Sequence, residues 1–196
     1  MPVKVDANAT VDGLVKMMGA SAFQGKNLSR AVQVWEEMLK TKTVVFFGLA
    51  GAMVPAGMRE ILVYLIKNRF VDCLVSTGAN LFHDIHETLG RYHWQGTHAM
   101  DDNLLHEHGI DRIYDVFAVE DEFNLTDRYI YDFAETLEAR PYTTREFLYL
   151  MGNDLSRKGK KDGIVSSAAS SGVHIYCPAV ADSSIGIALA LKDGPA

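Results

Sequence analysis

Three short stretches of small residues are the best candidates for holding a ligand: Gly48 to Gly57, Ser76-Thr77-Gly78-Ala79-Asn80, and Pro178 to Ser184. Side chains of this size let backbone N–H groups approach a phosphate or a ribose, and a helix N-terminus behind such a loop adds partial positive charge. Asp182 lies between an apolar run and Ser183-Ser184. A carboxylate placed there either accepts both hydroxyls of a ribose or caps the helix that follows. The fingerprint G-x-G-x-x-G is missing, which argues against a standard dehydrogenase. Six of the seven histidines, His83, His86, His93, His98, His106 and His108, fall between residues 83 and 108. His83, Asp84, His86 and Glu87 at helical spacing could set metal ligands on one face, but the order H-E-x-x-H is absent and no metal ligand is assigned. There is no G-x-S-x-G, and no base stands beside Cys73 or Cys177, so a nucleophilic hydrolase has little support.

The elements that must position these loops follow from the hydrophobic period. Leu28, Val32, Trp35, Met38 and Leu39 recur as on a helix, behind Asn27 and Ser29 as candidate caps, and this helix is expected to pack beside the first strand. At Thr43 to Phe47 the pattern becomes a continuous apolar run, as in a central parallel strand. The first loop follows, then a helix whose apolar face is read as Ile61, Leu62, Leu65 and Ile66. The unit recurs: Cys73 to Val75, the second loop, and a helix from about Leu81 to Leu89; then Tyr114 to Val119 and a helix to about Glu138. Helices over 143–157 and 161–171 precede a last strand, Val173 to Cys177, and the third loop. This alternation predicts an α/β fold, Rossmann-like, with a mostly parallel sheet and helices on both faces. Ligands of such sheets lie beyond the carboxyl ends of the strands, so the three loops should face one dinucleotide-type pocket. The expected division is an N-terminal helical segment, 1–42, and an α/β domain, 43–196.

Composition sets the outer bounds. The chain has 196 residues, 48% hydrophobic and 22% charged, with 5 prolines, which is globular rather than disordered. A net charge of −6 and a single short basic run, Arg157 to Lys161, argue against nucleic acid as a partner. That run reads as a solvated helix end or loop. The two cysteines sit in apolar runs and indicate no disulfide framework. No apolar leader is visible at Met1 to Asp6, and the uncharged stretch Thr43 to Met58 is too short to span a bilayer, so no membrane is implied and the cytoplasm is the default.

The run from Phe47 to Glu60, the run from Val71 to Asn80 with Asp84, and Pro178 to Gly186 together closely resemble the deoxyhypusine synthase family, over about Leu28 to Ala190. The resemblance implies a Rossmann-like fold and a homotetramer with active sites shared between paired subunits. It also implies NAD-dependent transfer of the aminobutyl group of spermidine to a lysine of a translation factor precursor, through an imine on an enzyme lysine. By position, Gly51, Ala52, Met53, Val54, Pro55, Thr77, Gly78 and Ala79 correspond to NAD-contacting residues, Asp182 to the carboxylate that holds a ribose, and Phe82, His83 and Asp84 to the polyamine side. Five positions at three places depart from the family pattern. Gly51-Ala52 replaces Ser-Asn, Phe82-His83 replaces paired glutamates, and Ile187 replaces an aspartate that would hold an ammonium. An isoleucine cannot compensate a buried ammonium, so the pattern is closer to the bacterial and archaeal deoxyhypusine synthase-like branch, with another amine as acceptor. The family's Gly-rich NAD segment and catalytic lysine have no match here. No catalytic residue is therefore assigned, and a truncated or processed chain, or a complementing C-terminal segment, is expected. The alternatives are an inactive NAD-binding or assembly module and, less favoured, a metal-dependent hydrolase.

Overall fold

A computed structural model describes residues 6–191, which divide into two compact units at Val45/Phe46. The first unit is a helical pair, α1 (Val11–Met18) and α2 (Phe23–Lys40). Thr10 caps α1 by accepting from the Gly13 amide at 3.1 Å. Helix α2 does not begin behind Asn27 or Ser29. Ala22 is its N-cap, so both expected caps lie inside the helix and Ser29 is buried. Gly25 lies inside it, where an added Cβ would come to 2.5 Å from Ser21 Oγ.

The second unit holds two three-stranded sheets. In the first, β1 (Phe46–Leu49), β2 (Cys73–Ser76) and β6 (His174–Tyr176) are parallel, with β2 central. Gly48 pairs with Val75 and Val75 with Tyr176. Strand β1 starts three residues later than the hydrophobic run suggests. Thr41 and Thr43 are still finishing α2, their hydroxyls donating to the Glu37 and Met38 carbonyls at 3.0 Å each. A helical turn at Val54–Met58, broken at Gly57 where φ is +86°, leads into α3 (Arg59–Lys67). The buried face of α3 is Arg59, Leu62, Val63 and Ile66; the expected Ile61 is 52% exposed. Helix α4 (Gly78–Thr88) follows β2 directly, beginning inside the second loop rather than at Leu81.

The third predicted strand does not join this sheet. Residues Trp94–Gln95 (β3), Ile110–Ile113 (β4) and Val116–Val119 (β5) form a separate antiparallel sheet in the order β3-β5-β4, with α5 (Asp102–Glu107) between β3 and β4. Strands β4 and β5 are joined by a tight hairpin at Tyr114-Asp115, where Tyr114 takes φ +59°. Helices α6 (Glu120–Glu135), α7 (Thr144–Lys158) and α8 (Ile164–Ser171) return the chain to β6, and α9 (Ser184–Ala190) follows the third loop. The basic run ends α7, where Arg157 and Lys158 pair with Asp154.

The core of the unit gathers Leu74, Leu81, Ile85, Met151, Leu155, Ile164 and Ile185, all 0–1% exposed. Helices were expected on both faces of the parallel sheet. Instead the row Gly48, Val75, Tyr176 is exposed, with Phe46 67% exposed in the same pleat. No helix among the described residues is long and apolar enough to cross a membrane.

Candidate functional site

The three small-residue loops meet at the carboxyl end of the parallel sheet, because β1, β2 and β6 are adjacent and run the same way. Asn80 ties the first loop to the second. Its Nδ2 donates to the Gly51 carbonyl at 2.7 Å and to Thr77 Oγ1 at 3.0 Å, and its Oδ1 accepts from the Val54 amide at 3.2 Å. The Thr77 amide adds a bond to the Leu49 carbonyl at 3.1 Å. The second and third loops touch without a hydrogen bond: a Cβ on Gly78 would lie 2.6 Å from that of Ser183. Ser183 Oγ in turn donates to the Val180 carbonyl at 2.7 Å, which holds the third loop closed on itself.

Within this frame Gly51, Ala52, Met53, Thr77, Ala79 and Asp182 are exposed, whereas Val54, Pro55 and Gly78 are buried and shape the loops. Gly51 takes φ +71°, with open space where a side chain would stand. Asp182 does not cap α9. The N-cap position belongs to Ser183, whose hydroxyl makes no capping bond to the first amides of α9, and Asp182 is exposed.

Behind the loops, Asp84 is fully buried and occupied on both oxygens. Oδ1 accepts from Arg59 Nε at 2.9 Å and the Ile164 amide at 2.7 Å, and Oδ2 accepts from the Val165 amide at 2.9 Å. The carboxylate therefore sits at the N-terminus of α8, where the helix dipole and free amides favour an anion. Burial pushes its carboxyl up, against the Arg59 charge and the two amides. Arg59, 2% exposed, also donates to Thr88 Oγ1 and to the Asp162 carbonyl. This cluster joins α3, α4 and α8, and it engages both Asp84 oxygens within the fold. Phe82 is 4% exposed and packs on Phe123 with ring centroids 5.6 Å apart.

The histidines divide into unlike groups. His83 Nδ1 lies 2.9 Å from His93 Nε2, and His93 Nδ1 lies 2.8 Å from Glu87 Oε1, which forms one chain of hydrogen bonds. Lys161 at 3.4 Å and Arg59 at 3.9 Å flank the other Glu87 oxygen. Burial raises the Glu87 carboxyl, but the His93 hydrogen bond and these cations outweigh it and hold the group below its ordinary value. His86 is buried with Nδ1 on Thr126 Oγ1 at 3.0 Å and Nε2 without a hydrogen-bond partner, Glu122 Oε2 lying 4.0 Å away. Burial, with the neighbouring His93, pushes His83 down to about 4, and burial with His93, Arg91 and His83 pushes His86 down to about 3. The Phe123 ring packs against all three. His98 stacks on Tyr114, and His108 bonds its own helix at Leu104. Among the described residues no group of three His, Cys, Asp or Glu is arranged to hold a metal ion. Both cysteines are buried, which pushes their thiols up.

Comparison with known proteins settles the kinship. The family model described as deoxyhypusine synthase matches residues 13–194. The chain belongs to the deoxyhypusine synthase family. It is 53% identical to "Probable deoxyhypusine synthase 2" of Methanosarcina mazei, over 97% of this chain and 56% of that protein. It is 50% identical to the protein of the same name from Archaeoglobus fulgidus, over 89% and 58%. A "Deoxyhypusine synthase-like protein" of Chlorobaculum tepidum is 40% identical over 90% and 51%. The chain thus spans somewhat over half the length of these relatives. A crystal structure described as a putative deoxyhypusine synthase from Entamoeba histolytica shares the fold, with a TM-score of 0.62 at 19% identity over 92% of this chain and 62% of that one.

Set within the deoxyhypusine synthase family, the structure gives four residues organising roles that their positions in the sequence did not show. Asn80, Arg59, Glu87 and His93 organise the site. Asn80 and Arg59 stood inside the quoted motifs, but nothing in their spacing showed that one would tie two loops and the other would lock Asp84.

Proposed function

We propose that this chain supplies the NAD-binding face of a deoxyhypusine synthase-type transferase, which moves an aminobutyl group from a spermidine-like amine to a lysine or amine acceptor. One observation carries the reading: three loops from adjacent parallel strands converge on exposed small residues beside a free carboxylate, Asp182. The chemistry of the residues present suits NAD. Gly51 leaves open space, Gly78 opens α4 with no side-chain cap on its first amides, and Asp182 is free to accept from a ribose. In this role Gly51, Ala52, Met53, Thr77 and Ala79 line the nucleotide, and Val54, Pro55 and Gly78 set the loop backbone. Bound NAD would supply the hydride acceptor for oxidising the amine. The order β1-β2-β6, with ligand loops at the strand ends, supports a Rossmann-like reading, and a cytoplasmic homotetramer remains part of the proposal.

On the amine side the reading narrows to His83. Asp84 is engaged by Arg59 and α8, Phe82 is packed away, and exposed Ile187 stands where a carboxylate would pair with an ammonium. These three observations favour an amine other than spermidine, or an NAD-binding module without turnover, as the second reading. A translation factor precursor as acceptor rests on the family alone.

Calorimetric titration with NAD tests the site. Saturable binding is expected in the wild-type chain, and Asp182→Ala should weaken it about tenfold, the loss of roughly 1.4 kcal/mol of ribose hydrogen bonding. Unchanged affinity in that variant would remove Asp182 from the site. Assay with NAD and spermidine for 1,3-diaminopropane release, with and without a C-terminal complement, then separates the two readings: turnover with the complement supports the transferase, and NAD binding without turnover in either case supports the module.

A further inference from the structure

Histidine 83 follows Ala79 by one helical turn, so it shares the face of α4 that carries the exposed end of the second loop. Its ring is half-buried, and its Nε2 is not among the sealed, partnerless atoms that include His86 Nε2. The opposite nitrogen is held by the chain His83 to His93 to Glu87. A carboxylate only accepts hydrogen bonds, so the proton between Glu87 and His93 sits on His93 Nδ1. With both rings neutral, His93 then offers a bare Nε2, which must accept from His83 Nδ1. The last atom of the chain, His83 Nε2, is left with a lone pair and no proton.

We infer that Glu87 and His93 are positioning residues that fix the tautomer of His83, so that its Nε2 accepts an amine N–H and turns away groups that can only accept. This rests on the amine reading above and deepens it by naming the polarity of the site. No bond is made or broken. The charged and titratable groups around the chain are Glu87, Asp84 and His86 on α4, Arg59 on α3, Arg91 after α4, Glu122 on α6 and Lys161 before α8. The low proton affinity that burial gives His83 keeps the ring neutral near pH 7, which the tautomer argument requires.

Replacing Glu87 by glutamine makes a sharp test. The Gln amide can donate where the carboxylate could only accept, so the whole chain can reverse and leave the His83 proton on Nε2. Long-range proton–nitrogen correlation on the histidine-labelled full chain at pH 7 reads this directly. The wild type should show His83 protonated on Nδ1 with Nε2 bare. Glu87→Gln should populate the opposite tautomer, and His93→Gln should break the preference. A wild-type His83 carrying its proton on Nε2 overturns the inference, as does a tautomer unchanged in both variants. Spermidine is then added as the probe. A saturable shift of the wild-type His83 Nε2 resonance is expected, with binding at least tenfold weaker in Glu87→Gln. If the wild-type tautomer is as stated but spermidine leaves His83 unmoved, the spermidine reading fails while the positioning role stands, so the two fail separately.

Discussion

At the scale of single residues, the Arg59–Asp84 pair is the most consequential polar feature behind the loops. Both side chains are almost wholly removed from water, and all three Arg59 nitrogens and both Asp84 oxygens are hydrogen-bonded. Taking one partner away leaves the other charge buried alone. Arg59→Met should cost about 3–5 kcal/mol in urea unfolding, and adding Asp84→Asn should recover more than 1 kcal/mol of it, roughly, because the neutral amide no longer needs a cation. An unaltered midpoint in Arg59→Met would show that the cluster contributes little. Nothing in the sequence announces this pairing, since the partners are far apart in the chain and an Arg on a helix normally reads as solvated. For Asp182, a carboxylate between a buried strand and two serines, the sequence left a ribose-binding and a capping role open, and the structure removes the capping one.

The buried histidines give the residue scale its pH dependence. In the unfolded chain each imidazole binds a proton near pH 6.5, whereas the folded state resists it until about pH 4 for His83 and about pH 3 for His86. Between those values the unfolded state holds more protons, so stability falls as the pH falls, by an amount on the order of a few kcal/mol. Asp127, pushed up to about 6 by burial, and Asp84 act in the opposite sense and offset part of the loss. Replacing His86 by leucine should flatten the decline in urea midpoint between pH 7 and pH 5, since the sealed Nε2 is then gone. Parallel slopes for variant and wild type would contradict this assignment.

At the scale of elements, the contact between the second and third loops depends on one missing side chain. Gly78→Ala places a Cβ against Ser183, and one of the two loops must move. The variant should lose about 1–3 kcal/mol and at least tenfold in NAD affinity, and Ser183→Gly in the same chain should restore part of both. Thermal midpoints and NAD titration on the three variants check it; a silent Gly78→Ala would mean the loops are free to separate.

Strands β2 and β6 were legible as short, continuous apolar runs. The antiparallel sheet was not. Strand β4 reads Ile-Asp-Arg-Ile, a weak alternation, and its hairpin turns on Tyr114-Asp115 without glycine, Tyr114 itself taking the positive φ. Without that turn signal Tyr114 to Val119 passes for another parallel strand. The same limit moved β1, whose apolar run begins while two threonines are still capping α2.

At the scale of the whole molecule, the loops that define the site all belong to the second unit, and the family relationship extends across most of both units. The relatives are considerably longer than this chain, so activity, acceptor and assembly stand as proposals, while the convergence of the loops is a property of the residues described here. The central claim is that Gly51–Met53, Thr77–Ala79 and Asp182 form one nucleotide cradle. The direct measurement is an amide-resolved NMR titration of the chain with NAD. The account predicts that amides of residues 51–53, 77–80 and 180–183 shift together along one saturation curve, while those of β3 to β5 stay still. Shifts confined to a single loop, or centred away from the ends of β1, β2 and β6, would contradict it.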